Sequence, residues 1–382
     1  MTQWPMIRVS EVHGLRRFLY PLSVVLELPS QSKIDANAVA LETSTGVRSR
    51  ERTNPSMSVE ESLATGVAVP TQLLFIAPRK IRLDFAVSLA PHETLDLRLI
   101  SGVPAAIPDP LNIEGWVSRQ ERLTMEFGPD ALVRSVHYDG IEHLRGPLRI
   151  ERKGETVVSH TDLRQIPQSA APERSEDSAH ITPALTPITA GFGVTGYYTD
   201  GQTAVTTSEI TACKSWIAVR NSSRPGVADN LVFTLPFAAS GSNLLCDFGL
   251  GGGIYTRLVR SSGASVRLVI NSEKGWSLSN GGRVDYMGQS ADWDALRPQL
   301  WFHVVDDEKA LAVAITQIPR TTSEVAIEIA ASGDIAIGFI PDDSRNVAVD
   351  FEVYFHFLNA VPAIAAATCP QSILLRPVVE VL

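Results

Sequence analysis

Three cysteines in 382 residues, Cys213, Cys246 and Cys369, are too few and too far apart for a disulfide framework, and none lies in a CxxC or Cys/His zinc spacing. They read as buried free thiols. Long apolar runs are missing too, so no membrane-spanning helix is expected; yet hydrophobic residues make up 44% of the chain, too many for disorder. Positive charge is short: 33 Lys and Arg face 42 Asp and Glu, and no basic stripe with interleaved aromatics offsets the net −9. That argues against a nucleic-acid partner. Helical periodicity is scarce, and the only short helices it suggests are Ser58–Ala64 and Asp292–Leu296. Arg16-Arg17-Phe18-Leu19 imitates a twin-arginine export signal, but Pro21 and Glu27 interrupt the stretch and no cleavage site follows. A cytoplasmic protein is expected, with its first strand on the alternating Leu22, Val24, Leu26 and Leu28.

What the chain has in abundance is period-two alternation. Val347, Val349, Phe351, Val353, Phe355 and Phe357 alternate with Ala348, Asp350, Glu352, Tyr354 and His356, the mark of a long strand with one buried face. Val325, Ile327 and Ile329 repeat the pattern, as do Val266, Leu268 and Ile270. Turn pairs such as Asp139-Gly140, Asn280-Gly281 and Ser332-Gly333 punctuate these runs. The expectation is an all-β protein of two antiparallel β-sandwich domains, of supersandwich or jelly-roll type, with very little helix. Domain bounds are expected at 1–160 and 191–382, joined across 161–190 by a linker or crossover loop rich in proline, serine and charge. Arg48 to Gly66 reads as an exposed excursion.

The sharpest local expectation is the hairpin Val136 to His143. Asp139-Gly140 at its tip predicts a two-residue type I′ turn that pairs Tyr138 with Ile141, His137 with Glu142 and Val136 with His143. That register puts His137 outside and packs His143 inside, so the two histidines share no metal and form no acid/base pair.

Chemistry is sought elsewhere. Asp350, Glu352, Tyr354 and His356 share the polar face of one strand, a set that can hydrogen-bond a sugar and exchange protons with it, unless that face is merely solvated. Trp301 and His303 share a face of a second strand, where an indole can stack on the C–H face of a pyranose. Gly249, Gly251, Gly252 and Gly253 match no phosphate-loop pattern and read as a bulge or a close backbone approach; beyond them Tyr255 and Arg257 point to one side. Arg257 is placed either to hold a carboxylate or to pair with Asp247. Asp292 and Asp294, with Asp285, offer too few oxygens to claim a divalent cation, and no cofactor is expected. Beyond residue 190 the chain carries 13 basic against 19 acidic residues and four of its six tryptophans, Trp216, Trp276, Trp293 and Trp301, so the ligand is sought there. Trp216, in an apolar run, reads more simply as a core residue.

The segment Leu123 to Gly146, Leu-Thr-Met-Glu-Phe-Gly-Pro-Asp-Ala-Leu-Val-Arg-Ser-Val-His-Tyr-Asp-Gly-Ile-Glu-His-Leu-Arg-Gly, resembles the strand-turn-strand entry of β-supersandwich carbohydrate enzymes, both aldose-epimerase-like and polysaccharide-lyase-like. The resemblance implies a long twisted sheet with a concave face for sugar, and carries over no catalytic residue. The leading expectation is a carbohydrate-active protein, an enzyme working on a small saccharide or glycoside by acid/base elimination, epimerisation or hydrolysis, as a lyase, epimerase or hydrolase. His303, His356, Tyr354 and Glu352 are the proton carriers; Trp301, Tyr255, Arg257 and Asp350 bind substrate. The rival is a non-catalytic β-sandwich, either a sugar-binding module or a subunit that assembles as a homo-oligomer or with a catalytic partner. Burial separates the two: convergent groups in an open pocket favour the enzyme.

Overall fold

The computed structural model describes residues 5–28, 39–44, 68–101, 109–152, 159–166, 188–197, 203–226, 231–239, 244–249, 258–262, 265–280, 283–286, 300–341, 347–359 and 370–382. The stretches 58–64 and 292–296, the excursion at 48–66, Tyr255, Arg257, Gly251 to Gly253 and Cys369 lie outside them, as does most of 161–190. Among the described residues every strand pairing is antiparallel, and helix is limited to a short turn at 370–374. The all-β expectation holds.

Two small sheets face each other first. One has β1 (Met6–Ser10) between β7 (Thr94–Ser101) and β29 (Val378–Val381), with β3 (Val39–Thr43) and β4 (Ala68–Val69) beyond β7. The other is β2 (Arg17–Glu27), β6 (Lys80–Leu89) and β5 (Thr71–Ala77). Leu26, Leu28, Leu83 and Phe85 from one sheet meet Ile7, Val9, Leu97 and Leu99 from the other in a closed apolar core. The first strand is therefore β1 and not the run at Leu22. Ile7 and Val9 do alternate, but five residues are too short a window for the pattern to stand out.

A larger pair follows. The seven-stranded sheet runs β13 (Arg149–Arg152), β18 (Leu231–Pro236), β27 (Asp334–Pro341), β26 (Thr322–Ile329), β21 (Val266–Asn271), β22 (Gly275–Asn280) and β23 (Arg283–Tyr286). Its nine-stranded partner runs β14 (Ser159–Ile166), β15 (Thr189–Tyr197), β16 (Thr203–Thr211), β17 (Trp216–Gly226), β28 (Val347–Asn359), β25 (Lys309–Gln317), β24 (Leu300–Val305), β19 (Leu245–Gly249) and β20 (Leu258–Ser262). Phe351, Val353, Phe355 and Phe357 point from β28 into the space between them, where Phe233 stacks on Phe355 with ring centroids 5.0 Å apart. Aromatic side chains of this size dominate the burial that holds such sheets together.

A third sheet, β12 (Ile141–Glu142), β11 (Val133–Tyr138), β10 (Leu123–Phe127), β9 (Val117–Arg119) and β8 (Asn112–Glu114), packs into the same core, with Phe127 stacked on Phe192 at 4.0 Å. This core thus gathers strands from both sides of residues 161–190, and Ser159–Ile166 is itself the edge strand β14. The hairpin has the expected pairs, Tyr138 with Ile141 and His137 with Glu142, and Asp139 and Gly140 take φ values of 51° and 80°, as a type I′ turn requires. His143 is fully buried. Its Nδ1 and Nε2 lie 3.0 and 2.9 Å from the carbonyl oxygens of Ile141 and Leu358.

Candidate functional site

Strand parity puts the candidate residues of β24 and β28 on one surface, the face of the nine-stranded sheet that points away from its partner. β25 lies between them. Across it, His303 pairs with Ala312 and Ala312 with His356, while Trp301 pairs with Ala314 and Ala314 with Tyr354. β19 extends the first row with Asp247 opposite His303, and β17 ends it with Trp216 opposite His356. Further along β28, Glu352 faces Arg220 and Asp350 faces Ser222.

This surface is covered. Tyr20 and Leu22 of β2, with Ile373 and Leu374 of the 370–374 turn, pack on Trp216, Ala218, Ala314 and Tyr354. Tyr20 donates from its hydroxyl to the Ser372 carbonyl at 2.8 Å, and Lys214 donates to the Phe18 carbonyl at 2.5 Å. Arg17, paired with Glu11 at 2.6 Å, donates to the carbonyls of Ser372 and Leu375. Farther along the interface, Gln72 accepts from the Ile188 backbone at 2.7 Å and Thr189 donates to Asp84 at 3.3 Å. Trp216 is thus buried as expected, but in this interface and not between the two large sheets, where Trp276 sits.

Burial decides what the histidines can do. His303 is 0% exposed, and its Nε2 lies 2.9 Å from Asp247 Oδ2, close but poorly aimed for a hydrogen bond. Trp301 lies nearly parallel to the His303 ring, with centroids 6.2 Å apart. The close backbone approach expected at the glycine run is real at Gly249, where any Cβ would overlap the Trp301 indole. His356 packs edge-on against Trp216 at 4.8 Å. Its burial, with the charge of Lys214, pushes its pKa down to about 3, so it is neutral near pH 7.

Among the described candidates, the set opens to solvent around Glu352. Glu352 accepts from Arg220 Nε at 2.6 Å and from Thr316 Oγ1 at 2.9 Å, and Arg376 Nη2 is 3.5 Å away. Burial pushes the Glu352 carboxyl up, but the charge and hydrogen bond of Arg220 outweigh it and hold the group below the usual carboxylate range. Burial pushes the Tyr354 phenol up to about 12 against the pull of Arg376, whose Nη2 donates to its oxygen at 3.0 Å. Next to them opens a cleft of about 290 Å³ lined by Thr316, Gln317, Glu352, Ile373, Leu374 and Arg376. Asp350 lies farther along, 2.5 Å from the Ser222 hydroxyl. Sequence parity could have found Arg220, two residues from Ala218 on a face already marked by Trp216. Nothing in the sequence points to Thr316 or Arg376.

A larger trough of about 500 Å³ crosses the outer face of the seven-stranded sheet, over the exposed Arg267 and Glu328 pair at 2.7 Å. It holds none of the candidate residues. Among the described residues no group of three or more His, Cys, Asp or Glu could hold a metal ion, and no helix is long and apolar enough to cross a membrane.

No protein-family model matches the sequence, and no curated protein matches it. Solved structures do. A protein in the glycosyl hydrolase family 38 from Enterococcus faecalis superposes with a TM-score of 0.56 and 10% identity over 99% of this chain and 47% of that chain. An alpha-mannosidase from Enterococcus faecalis V583 gives 0.58 and 11% over 99% of this chain and 46% of that one. A putative aldose 1-epimerase from Escherichia coli K12, at a TM-score of 0.32 and 9% identity over 66% of this chain and 99% of that chain, is too loose a likeness to argue from. This chain spans less than half the length of the first two, and at such identities the likeness is one of fold. Along nearly its whole length, the chain has the β-sandwich architecture of part of those two carbohydrate enzymes.

Proposed function

We propose that this chain is a non-catalytic β-sandwich component of carbohydrate-active machinery: it engages saccharide, while the bond-breaking residues lie elsewhere. The observation that carries this reading is the burial of the proton carriers. General acid/base work needs an accessible group whose pKa lies near the working pH. His356 is neutral down to about pH 3, Tyr354 holds its proton up to about 12, and Glu352 is a carboxylate neutralised by arginine. His303 is sealed from substrate at 0% exposure. The fold likeness adds support, since this chain matches only part of each of the two superposing proteins. A cytoplasmic address belongs to the same proposal.

The test pairs turnover with retention. The purified chain is incubated with chromogenic α- and β-glycosides, with and without divalent cations, and run through polyacrylamide containing mannan or other polysaccharides. Retarded migration with no turnover is the expected result. Turnover abolished by His303→Ala or Glu352→Gln would restore the acid/base enzyme, and unretarded migration in every polysaccharide would remove the carbohydrate role.

A further inference from the structure

The cleft beside Glu352 has a composition that selects its occupant. Charge comes first. Glu352 sits between Arg220 and Arg376, and Arg220 also reaches Glu209 at 3.0 Å, so two guanidinium groups face two carboxylates. A ligand with net charge of either sign would unbalance this set, whereas a neutral polar one leaves it intact.

The polar groups then define the chemistry. The Glu352 carboxylate and the Thr316 hydroxyl, whose proton goes to Glu352, accept; the Arg376 guanidinium donates; and the Gln317 amide does both. Such alternation suits vicinal hydroxyls, which donate and accept in turn. Ile373, itself only 3% exposed, and the half-buried Leu374 also line the cleft, and Leu374 supplies an apolar surface of the kind that covers the C–H face of a sugar ring. About 290 Å³ is at the small end of small-molecule sites, which run from roughly 300 Å³ upward. Gln317 and Arg376 are exposed, so the cleft opens to solvent on their side.

We infer that this cleft binds one neutral pyranose unit, the terminal residue of a glycan whose remainder extends into solvent past Gln317 and Arg376. The inference rests on the carbohydrate reading above and narrows it to one subsite.

Titration calorimetry and saturation-transfer NMR on the full chain test it, with methyl hexopyranosides as probes and a methyl glucuronide as the charged control. Leu374→Trp fills the cleft, and Gln317→Ala trims an exposed contact that the fold does not need. Saturable binding of a neutral hexoside in the millimolar range is expected, weakened about tenfold or more by either variant, with the glucuronide binding no more tightly. Absence of saturable hexoside binding overturns the subsite. So does binding that both variants leave unchanged; retention in polysaccharide gels would then keep the broader reading alive without this cleft.

Discussion

His303 and His356 stand in one cross-strand row with the Ala312 methyl between them. Two strand spacings separate their backbones by about 10 Å. Each is committed to another neighbour, His303 to Asp247 and His356 to Trp216. On this sheet face each histidine therefore packs against a neighbour on its far side, away from the other.

The buried His356 makes the fold sensitive to acid. Its folded pKa, about 3, lies below the ordinary histidine value, so the unfolded chain binds the extra proton first. Its contribution to stability is present above about pH 6.5 and is lost as pH falls towards 3, at up to about 1.4 kcal/mol per pH unit. His356→Phe is expected to flatten that part of the profile, read from urea midpoints between about pH 4 and 7.

Asp84 works in the opposite direction. Burial raises its pKa against the pull of Arg82, so the folded state favours the protonated form, and that contribution is lost as pH rises through the folded pKa. Asp84→Asn is expected to stabilise the protein at neutral pH and to narrow its advantage in acid. Equal urea midpoints for the two proteins at neutral pH would count against this.

Arg17 and Glu11 form an ion pair with side chains 1% and 0% exposed. Arg17→Leu strands a buried carboxylate and frees the carbonyls of Ser372 and Leu375. A loss of about 3 to 5 kcal/mol is expected, together with faster amide exchange across 370–376. Removing both charges at once should cost less than the Arg17 change alone.

Gly249→Ala drives a methyl group into the Trp301 indole. The ring has to leave its place beside His303, at a cost of about 1 to 3 kcal/mol or more. Altered tryptophan fluorescence and near-ultraviolet dichroism report the displacement, and a Trp301→Ala background should remove most of the penalty.

Much of this was legible in the residues. Alternation along Val347 to Phe357 and the Asp139-Gly140 turn gave the strand faces and the hairpin register, because both follow from local geometry. Parity also placed Trp301 and His303 on one face of their strand. What alternation cannot give is which strand lies next door, or what lies on top. That Ala312 and Ala314 join the two faces depends on β25 lying between β24 and β28, and that Tyr20, Ile373 and Arg376 roof the surface depends on contacts more than 300 residues apart in sequence, such as the one from Arg17 to Ser372. The polar face read as solvated or catalytic is, around Trp216, Ala314 and Tyr354, an internal interface.

The pairing of β1 with β29 sets an order in time. Ile7 lies in the first of the described strands, yet Val381, its partner across the sheet, is translated after every other strand described. Until then one edge of β1 keeps unpaired backbone groups, an open template for another chain. The 370–374 turn that roofs Tyr354 arrives just as late. Nascent forms in which β29 is not yet made should therefore depend on chaperones, since residues 370–381 both close the first sheet and fasten it to the large sandwich.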